Sequence, residues 1–280
     1  MEKLITVNYL NYMGISEFIE IPQFSLDKAT KSELLFYQLQ QLHQHHFENC
    51  TEYKKISAIA FPNAKNANSI EDLPFLPVSI FKTHQLKSIT DDKVYKILTS
   101  SGTTGSVPSN IYLDTDAAKL QTISLSKIIT HILGNQRLPM LIIDSKDVLK
   151  NRNSFSARGA GIVGLSVFGK DHTYALNEDY SLNEEIVKQF LHKYNGQPVF
   201  IFGFTFMIWQ YLLNNTNYTN IDLSNAILIH SGGWKKLIEV AVDNTTFKKQ
   251  LFQKFKLKNV INFYGMIEQI GSVFIENSEG

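Results

Sequence analysis

Ser181-Leu182-Asn183-Glu184 is followed by Ile186, Phe190 and Tyr194, then by Asn195-Gly196-Gln197-Pro198 and the unbroken apolar run Val199-Phe200-Ile201-Phe202. The apolar residues recur every fourth position, which puts them on one face of a helix, and Ser181-x-x-Glu184 has the form of a capping box. Asn195-Gly196 stops that helix, because glycine takes the left-handed C-terminal conformation without steric cost. The β-branched and aromatic run behind it reads as a buried strand. A helix–strand step of this kind, when it repeats, is the mark of an α/β fold.

The step does repeat. Leu120, Ile123, Ile128 and Ile132 lie near one helical face, Gly134 closes that segment, and Leu141-Ile142-Ile143 follows as a strand. Ala226-Ile227-Leu228-Ile229 and Val260-Ile261-Asn262-Phe263 complete the expected buried strands, each running into a glycine-containing segment of the kind where α/β sheets hold their ligands. Upstream, Thr30-x-x-Glu33 with Leu35, Leu39 and Leu42 predicts a helix over about 31–48, and the first 60 residues read as mainly helical. Leu73-Pro74-Phe75-Leu76-Pro77 is an extended connector, since two prolines exclude helix interior. The expected organisation is a mainly helical segment over 1–70 and an α/β region over 71–280. No fixed-period repeat or Gly/Ser-rich linker divides the chain.

Composition bounds the function. The 280 residues are 44% hydrophobic and 19% charged, enough apolar material for a large core. Lysine and arginine number 27 against 26 acidic residues, a net charge of +1, so a nucleic-acid binder is not expected and any charge-dependent chemistry must be local. The lone Cys50 fits a reducing compartment, and the cytoplasm is the expected location. Met1-Glu2-Lys3-Leu4-Ile5-Thr6 does not read as a signal peptide, and no run of about 18 apolar residues predicts a membrane span.

Three segments concentrate the chemistry. Thr99-Ser100-Ser101-Gly102-Thr103-Thr104-Gly105-Ser106 alternates hydroxyls with glycines directly after the apolar stretch Val94–Leu98. Backbone N–H groups and hydroxyls of such a loop can converge on a phosphate, although an ordinary polar turn has the same composition; the Walker pattern is absent. Ile229-His230-Ser231-Gly232-Gly233-Trp234-Lys235-Lys236 sets a double glycine, an aromatic plane and a cation behind a strand. Asn262-Phe263-Tyr264-Gly265-Met266-Ile267-Glu268 sets a ring, a glycine and a carboxylate behind another. Each of these two, alone, is also compatible with plain strand-to-loop packing.

In this order the segments resemble the adenylate-forming superfamily of acyl-CoA ligases, adenylation domains and luciferases, and within it the acyl-protein synthetase (LuxE) family. Ser100 to Gly105 is similar to its phosphate loop, Gly232-Gly233 to its adenine-flanking glycines, and Tyr264-Gly265-x-x-Glu268 to its Tyr-Gly-x-Thr-Glu segment. Leu73 to Lys82, Phe202-Gly203-Phe204-Thr205-Phe206 and Gly232-Gly233-Trp234-Lys235 narrow the likeness to the acyl-protein synthetases, over roughly residues 70–275. The resemblance implies the N-terminal core of an adenylate-forming enzyme. Ser100, Ser101, Gly102, Thr103, Thr104 and Gly105 would bind the ATP phosphates; Gly232, Gly233 and Trp234 would lie by the adenine, with Tyr264 stacked on it and Gly265 beside it. Glu268 would hold Mg²⁺. The implied reaction activates a long-chain fatty or other apolar carboxylate as an acyl-adenylate and passes the acyl group to a protein thiol, the implied acceptor being a partner protein such as an acyl reductase.

The sequence departs from the family pattern at several places. Ser106-Val107-Pro108 stands where many relatives have Pro-Lys-Gly, so the loop lysine is missing; Lys235 either replaces it as a catalytic cation or is a solvated surface residue. Ile267 replaces the usual threonine beside Glu268. The family's C-terminal lid, with its lysine and acyl-accepting cysteine, is expected to be absent from this chain, which is then a fragment or a shortened paralogue. Phe202, Phe204, Phe206, Ile208 and Trp209 either wall an acyl tunnel or fill a core. His43, His45 and His46 are not expected to bind metal, His230 is either a ligand contact or a structural histidine, and Arg158-Gly159-Ala160-Gly161 either faces the site as a loop or is an ordinary turn. An acyl-CoA ligase similar to phenylacetate-CoA ligases and a non-catalytic nucleotide-binding subunit are the alternatives. Chain length of the acyl group, the acceptor and the oligomeric state are not legible.

Overall fold

Asp27 starts the first long helix. Its carboxylate accepts the Thr30 N–H at 2.9 Å, so α1 (Lys28–Asn49) begins ahead of the capping box expected at Thr30. The structure, a computed structural model, describes residues 15–100, 107–150, 157–214, 221–270 and 273–277. Cys50, buried and extended, separates α1 from α2 (Thr51–Ala60). The face of α1 that goes inward is marked by Leu34, whereas Leu35 and Leu42 are exposed. Residues 74–77 carry no regular structure, as the two prolines require. β1 (Lys96–Thr99) pairs antiparallel with β2 (Asn110–Leu113), and Ser100 and Ser109 extend the pairing: the Ser100 N–H donates to the Ser109 carbonyl at 3.0 Å and the Ser109 N–H to the Ser100 Oγ at 2.8 Å.

After α3 (Thr115–Leu133), Gly134 takes φ +79° and its N–H returns to the Thr130 carbonyl, closing the helix. The buried positions of α3 are Ile129 and Leu133, while Ile123 is exposed. From here the α/β alternation is regular: β3 (Leu138–Ser145), α4 (Ala157–Ser166), β4 (Gly169–Leu176), α5 (Glu184–Lys193), β5 (Val199–Phe204), a helical stretch Thr205–Leu213 whose last six residues are π-helical, β6 (Ala226–Ser231), α6 (Asn244–Phe255), β7 (Asn259–Tyr264) and β8 (Phe274–Ile275). The sheet order is β4-β3-β5-β6-β7-β8, parallel throughout except for β8. Four of these strands contain the four apolar runs: β3 and β7 extend theirs at both ends, β5 and β6 by two residues at the carboxyl end alone.

Helices cover both faces of the sheet, which is why the central strands are apolar without alternation. On one face Val187 and Phe190 of α5, Ile208, Trp209 and Leu212, and Phe247, Leu251 and Phe255 of α6 bury against Leu141, Ile143, Ile201 and Leu228. On the other, α4 comes so close that a Cβ on Gly161 would meet the rings of Phe204 and Phe202 at 3.3 and 3.5 Å. Two local expectations are corrected. Asn183, not Ser181, caps α5 by accepting the Ile186 N–H at 3.0 Å, because Ser181 is committed to the Asp179 carboxylate. Arg158-Gly159-Ala160-Gly161 is the first turn of α4 rather than a loop.

The chain forms two compact units: the described residues up to Lys127 with 266–270, and residues 128–265 with 273–277.

Candidate functional site

The strand register builds the site in the second unit. Gly203 pairs with His230, Phe204 with Ser231, and Ser231 in turn with Phe263, so Gly232 and Tyr264 are each one residue beyond the last paired position of neighbouring parallel strands. Chains leaving a parallel sheet at its carboxyl edge are where such folds hold ligands. Gly232 is required twice over: its φ is +82°, and a Cβ there would lie 2.8 Å from the Phe204 ring. Gly233 has open space around its Cα, nothing lying within 4 Å of an added Cβ. Tyr264 is 60% exposed, far more than a strand-end tyrosine in a core would be. Gly265 follows it, with Val273 at 3.2 Å from an added Cβ. Trp234 leans inward, its ring 5.0 Å from Trp209 and 6.2 Å from Phe247 in edge-to-face contact, and so anchors the loop that carries the two glycines. Lys235 is exposed, with φ at +52°.

Behind the glycines lies a buried polar contact. His230 Nδ1 is 2.9 Å from Thr205 Oγ1, and that hydroxyl donates to the Ser231 carbonyl at 3.2 Å. The threonine has one hydroxyl proton, so donation to Ser231 makes Oγ1 the acceptor of an Nδ1–H and leaves Nε2 as the bare nitrogen. Among the described residues Nε2 has no partner, and the ring packs 4.9 Å from Phe247. Burial pushes the His230 pKa down to about 4, with Glu276 pulling it up and Lys248 down. At the same edge Glu276 accepts the Asn262 N–H at 3.0 Å, the Lys248 ammonium at 2.5 Å and the Asn244 amide. Burial alone would raise its pKa; Lys248, Asn262 and Asn244 hold it below the ordinary value. A hollow of about 270 Å³ opens beside Tyr264, lined also by Asn244, Asn262 and Glu276. A larger one, about 390 Å³, lies at the amino ends of β5 and β6, the end of a parallel sheet that offers neither free strand carboxyl termini nor these glycines.

Strand order reverses between β3 and β5, and an ion pair occupies that crevice. Arg158 Nε is 3.2 Å from the buried Asp144 carboxylate, while its other nitrogens donate to the Tyr180 hydroxyl at 2.9 Å and Met207 Sδ at 3.3 Å. Burial pushes the Asp144 carboxyl up, against the pull of Arg158 and of the Ser145 N–H. Arg158 is therefore committed within the protein.

Of the other expected site residues, Ser100 caps the β1–β2 pairing, and Ser101, Gly102, Thr103, Thr104 and Gly105 lie outside the described residues. Glu268 sits half-buried in a turn of the first unit. No group of three or more His, Cys, Asp or Glu side chains among the described residues would hold a metal unaided. A single carboxylate suits Mg²⁺ that arrives with nucleotide phosphates, since this ion keeps water and phosphate oxygens around one or two protein ligands. His43 and His46 are occupied by Tyr53 and Ser88 at 2.9 and 2.7 Å. Ile208 and Trp209 belong to the core, with Phe204 and Phe206 packed on it. Sequence reasoning missed Thr205, Asp144 and the Glu276 network. Thr205 and His230 are linked only through the β5–β6 register, which the sequence does not print.

A family model described as "Acyl-protein synthetase, LuxE" matches residues 14–278. The chain belongs to the LuxE acyl-protein synthetase family. The long-chain-fatty-acid–luciferin-component ligase of Aliivibrio fischeri is 22% identical over 232 residues, 80% of this chain and 59% of that protein. The ligase of the same description from Photorhabdus luminescens is 34% identical over 62 residues, 22% of this chain and 53% of that protein. The chain thus spans a little over half the length of the curated relatives it matches. A solved 2-hydroxyisobutyryl-CoA ligase, in complex with 2-HIB-AMP and CoA, superposes with a TM-score of 0.51 at 14% identity, covering 86% of this chain and 50% of that one. The two share the α/β fold. No described helix is long and apolar enough to cross a membrane.

Proposed function

We propose that the protein binds ATP at the carboxyl ends of β6 and β7 and uses it to activate a long-chain fatty or other apolar carboxylate as an acyl-adenylate, which a protein thiol then captures. The observation that carries this reading is a left-handed Gly232 followed by an open Gly233 at the end of β6, with the exposed Tyr264 at the end of the neighbouring parallel strand: side-chain-free backbone and an aromatic plane at adjacent strand ends suit a purine. Family membership and the ligase names of the relatives support the same class of reaction.

In this reading Gly232 and Gly233 lie against the adenine with Tyr264 stacked on it, and Trp234 and Gly265 hold the two loops. Ser100 to Gly105 take the phosphates, Glu268 the Mg²⁺, and the exposed Lys235 adds positive charge. Bound Mg²⁺ would neutralise phosphate oxygens. A carboxylate oxygen attacks the α-phosphorus, the bond to pyrophosphate breaks, and the thiol later displaces AMP from the acyl carbon. No protein nucleophile is needed for the first half, so the protein's task is to align two anions and screen their charge.

Carboxylate-dependent ATP–pyrophosphate exchange tests the reading. The expected result is exchange with a long-chain fatty acid that Glu268→Ala lowers by roughly 10²-fold or more, the scale for loss of one charge-stabilising group. ATP binding with no exchange for any carboxylate would contradict it.

A further inference from the structure

We propose that Thr205 and His230 are positioning residues for the nucleotide: together they fix the backbone of Ser231-Gly232-Gly233 in the conformation that receives it. The inference deepens the ATP reading above and rests on it.

Three observations converge on the same few atoms. The Thr205 hydroxyl donates to the Ser231 carbonyl, the last one before Gly232, at 3.2 Å, and so restrains the peptide plane from which the glycine turn departs. His230 Nδ1, 2.9 Å from the same hydroxyl, uses up its acceptor side and orients its proton toward Ser231. Phe204, directly before Thr205, fills the space a Gly232 side chain would take. One junction, the end of β5 and the start of the helical stretch, thus holds the glycine turn by a hydrogen bond, by the histidine behind that bond and by a ring in van der Waals contact.

The histidine points to a purpose beyond filling space. It is 2% exposed, it packs against Phe247, and its Nε2 has no partner among the described residues. An aliphatic side chain would occupy this apolar site without a stranded nitrogen, so the polar ring is explained by what Nδ1 does. With the hydroxyl free to turn, Thr205 could donate to a histidine nitrogen instead of Ser231 and the turn would lose its tether. The Nδ1–H removes that choice.

The test is calorimetric titration of the whole protein with Mg-ATP, comparing the parent with Thr205→Val, which keeps the shape and loses the hydroxyl, and Thr205→Ser, which keeps the hydroxyl. Thr205→Val is expected to weaken binding by roughly tenfold, about one hydrogen bond, and Thr205→Ser to bind within a few-fold of the parent. Equal binding by parent and Thr205→Val overturns the inference while leaving the ATP reading intact; no binding by the parent overturns both. If Thr205→Val does not fold, His230→Asn and His230→Gln replace it, since the Asn amide nitrogen stands in for Nδ1 and the Gln nitrogen for Nε2. Near-parent affinity for the Asn variant with loss for the Gln variant supports the relay, and the reverse order overturns it.

Discussion

His230 links the candidate site to stability. Its folded pKa of about 4 lies below the ordinary 6.5, so between these values the unfolded chain holds a proton that the folded one refuses. Stability from this group is complete above pH 6.5 and is lost as pH falls toward 4, a span of about 3 kcal/mol. The charged groups facing it, Glu276 and Lys248, act in opposite senses and leave burial as the deciding cause. Urea midpoints at pH 7 and pH 4.5 are expected to fall further for the parent than for His230→Asn; equal falls would contradict the assignment. At this scale the sequence was half legible. Gly232 could be read because a double glycine behind an apolar run is conspicuous, and the exposed Tyr264 because it follows the next run. Thr205 could not, because its partner is 25 residues away and only register brings them together.

Among elements, the junction between β3 and α4 is pinned by Asp144 and Arg158. Removing one member leaves the other uncompensated in a largely buried place. Asp144→Ala is expected to cost about 3 kcal/mol or more in urea unfolding, and the double change Asp144→Leu with Arg158→Met markedly less than the single change, since neither charge is then stranded. Additive losses would show that the pair is not coupled. The elements themselves were legible where burial on both faces makes a strand uniformly apolar, as in β3, β5, β6 and β7. β4 was not, because Lys170, Asp171 and His172 are exposed and, with Thr173, interrupt any apolar run in its sequence, Gly169 to Leu176. β8, two residues long, has no pattern to read. The first turn of α4 does not read as helix because it holds Gly159 and Gly161, residues that disfavour an isolated helix; Gly161 here allows close packing on Phe202 and Phe204.

For the whole molecule, a net charge of +1 offers no general attraction for a polyphosphate, so the claim that ATP binds depends on where local structure is prepared for it. The family relationship was readable at about 20% identity because three short, separately ambiguous segments occur in the family's order, whereas the division into two units was not, since the boundary falls within α3 and no linker marks it. The most direct measurement is photolabelling of the protein with 8-azido-ATP, followed by peptide mapping with and without excess ATP. The account predicts ATP-protectable label on peptides containing Gly232 to Lys235 or Tyr264. Protectable label confined to the amino ends of β5 and β6, around Asn195 or Asp222, would contradict it.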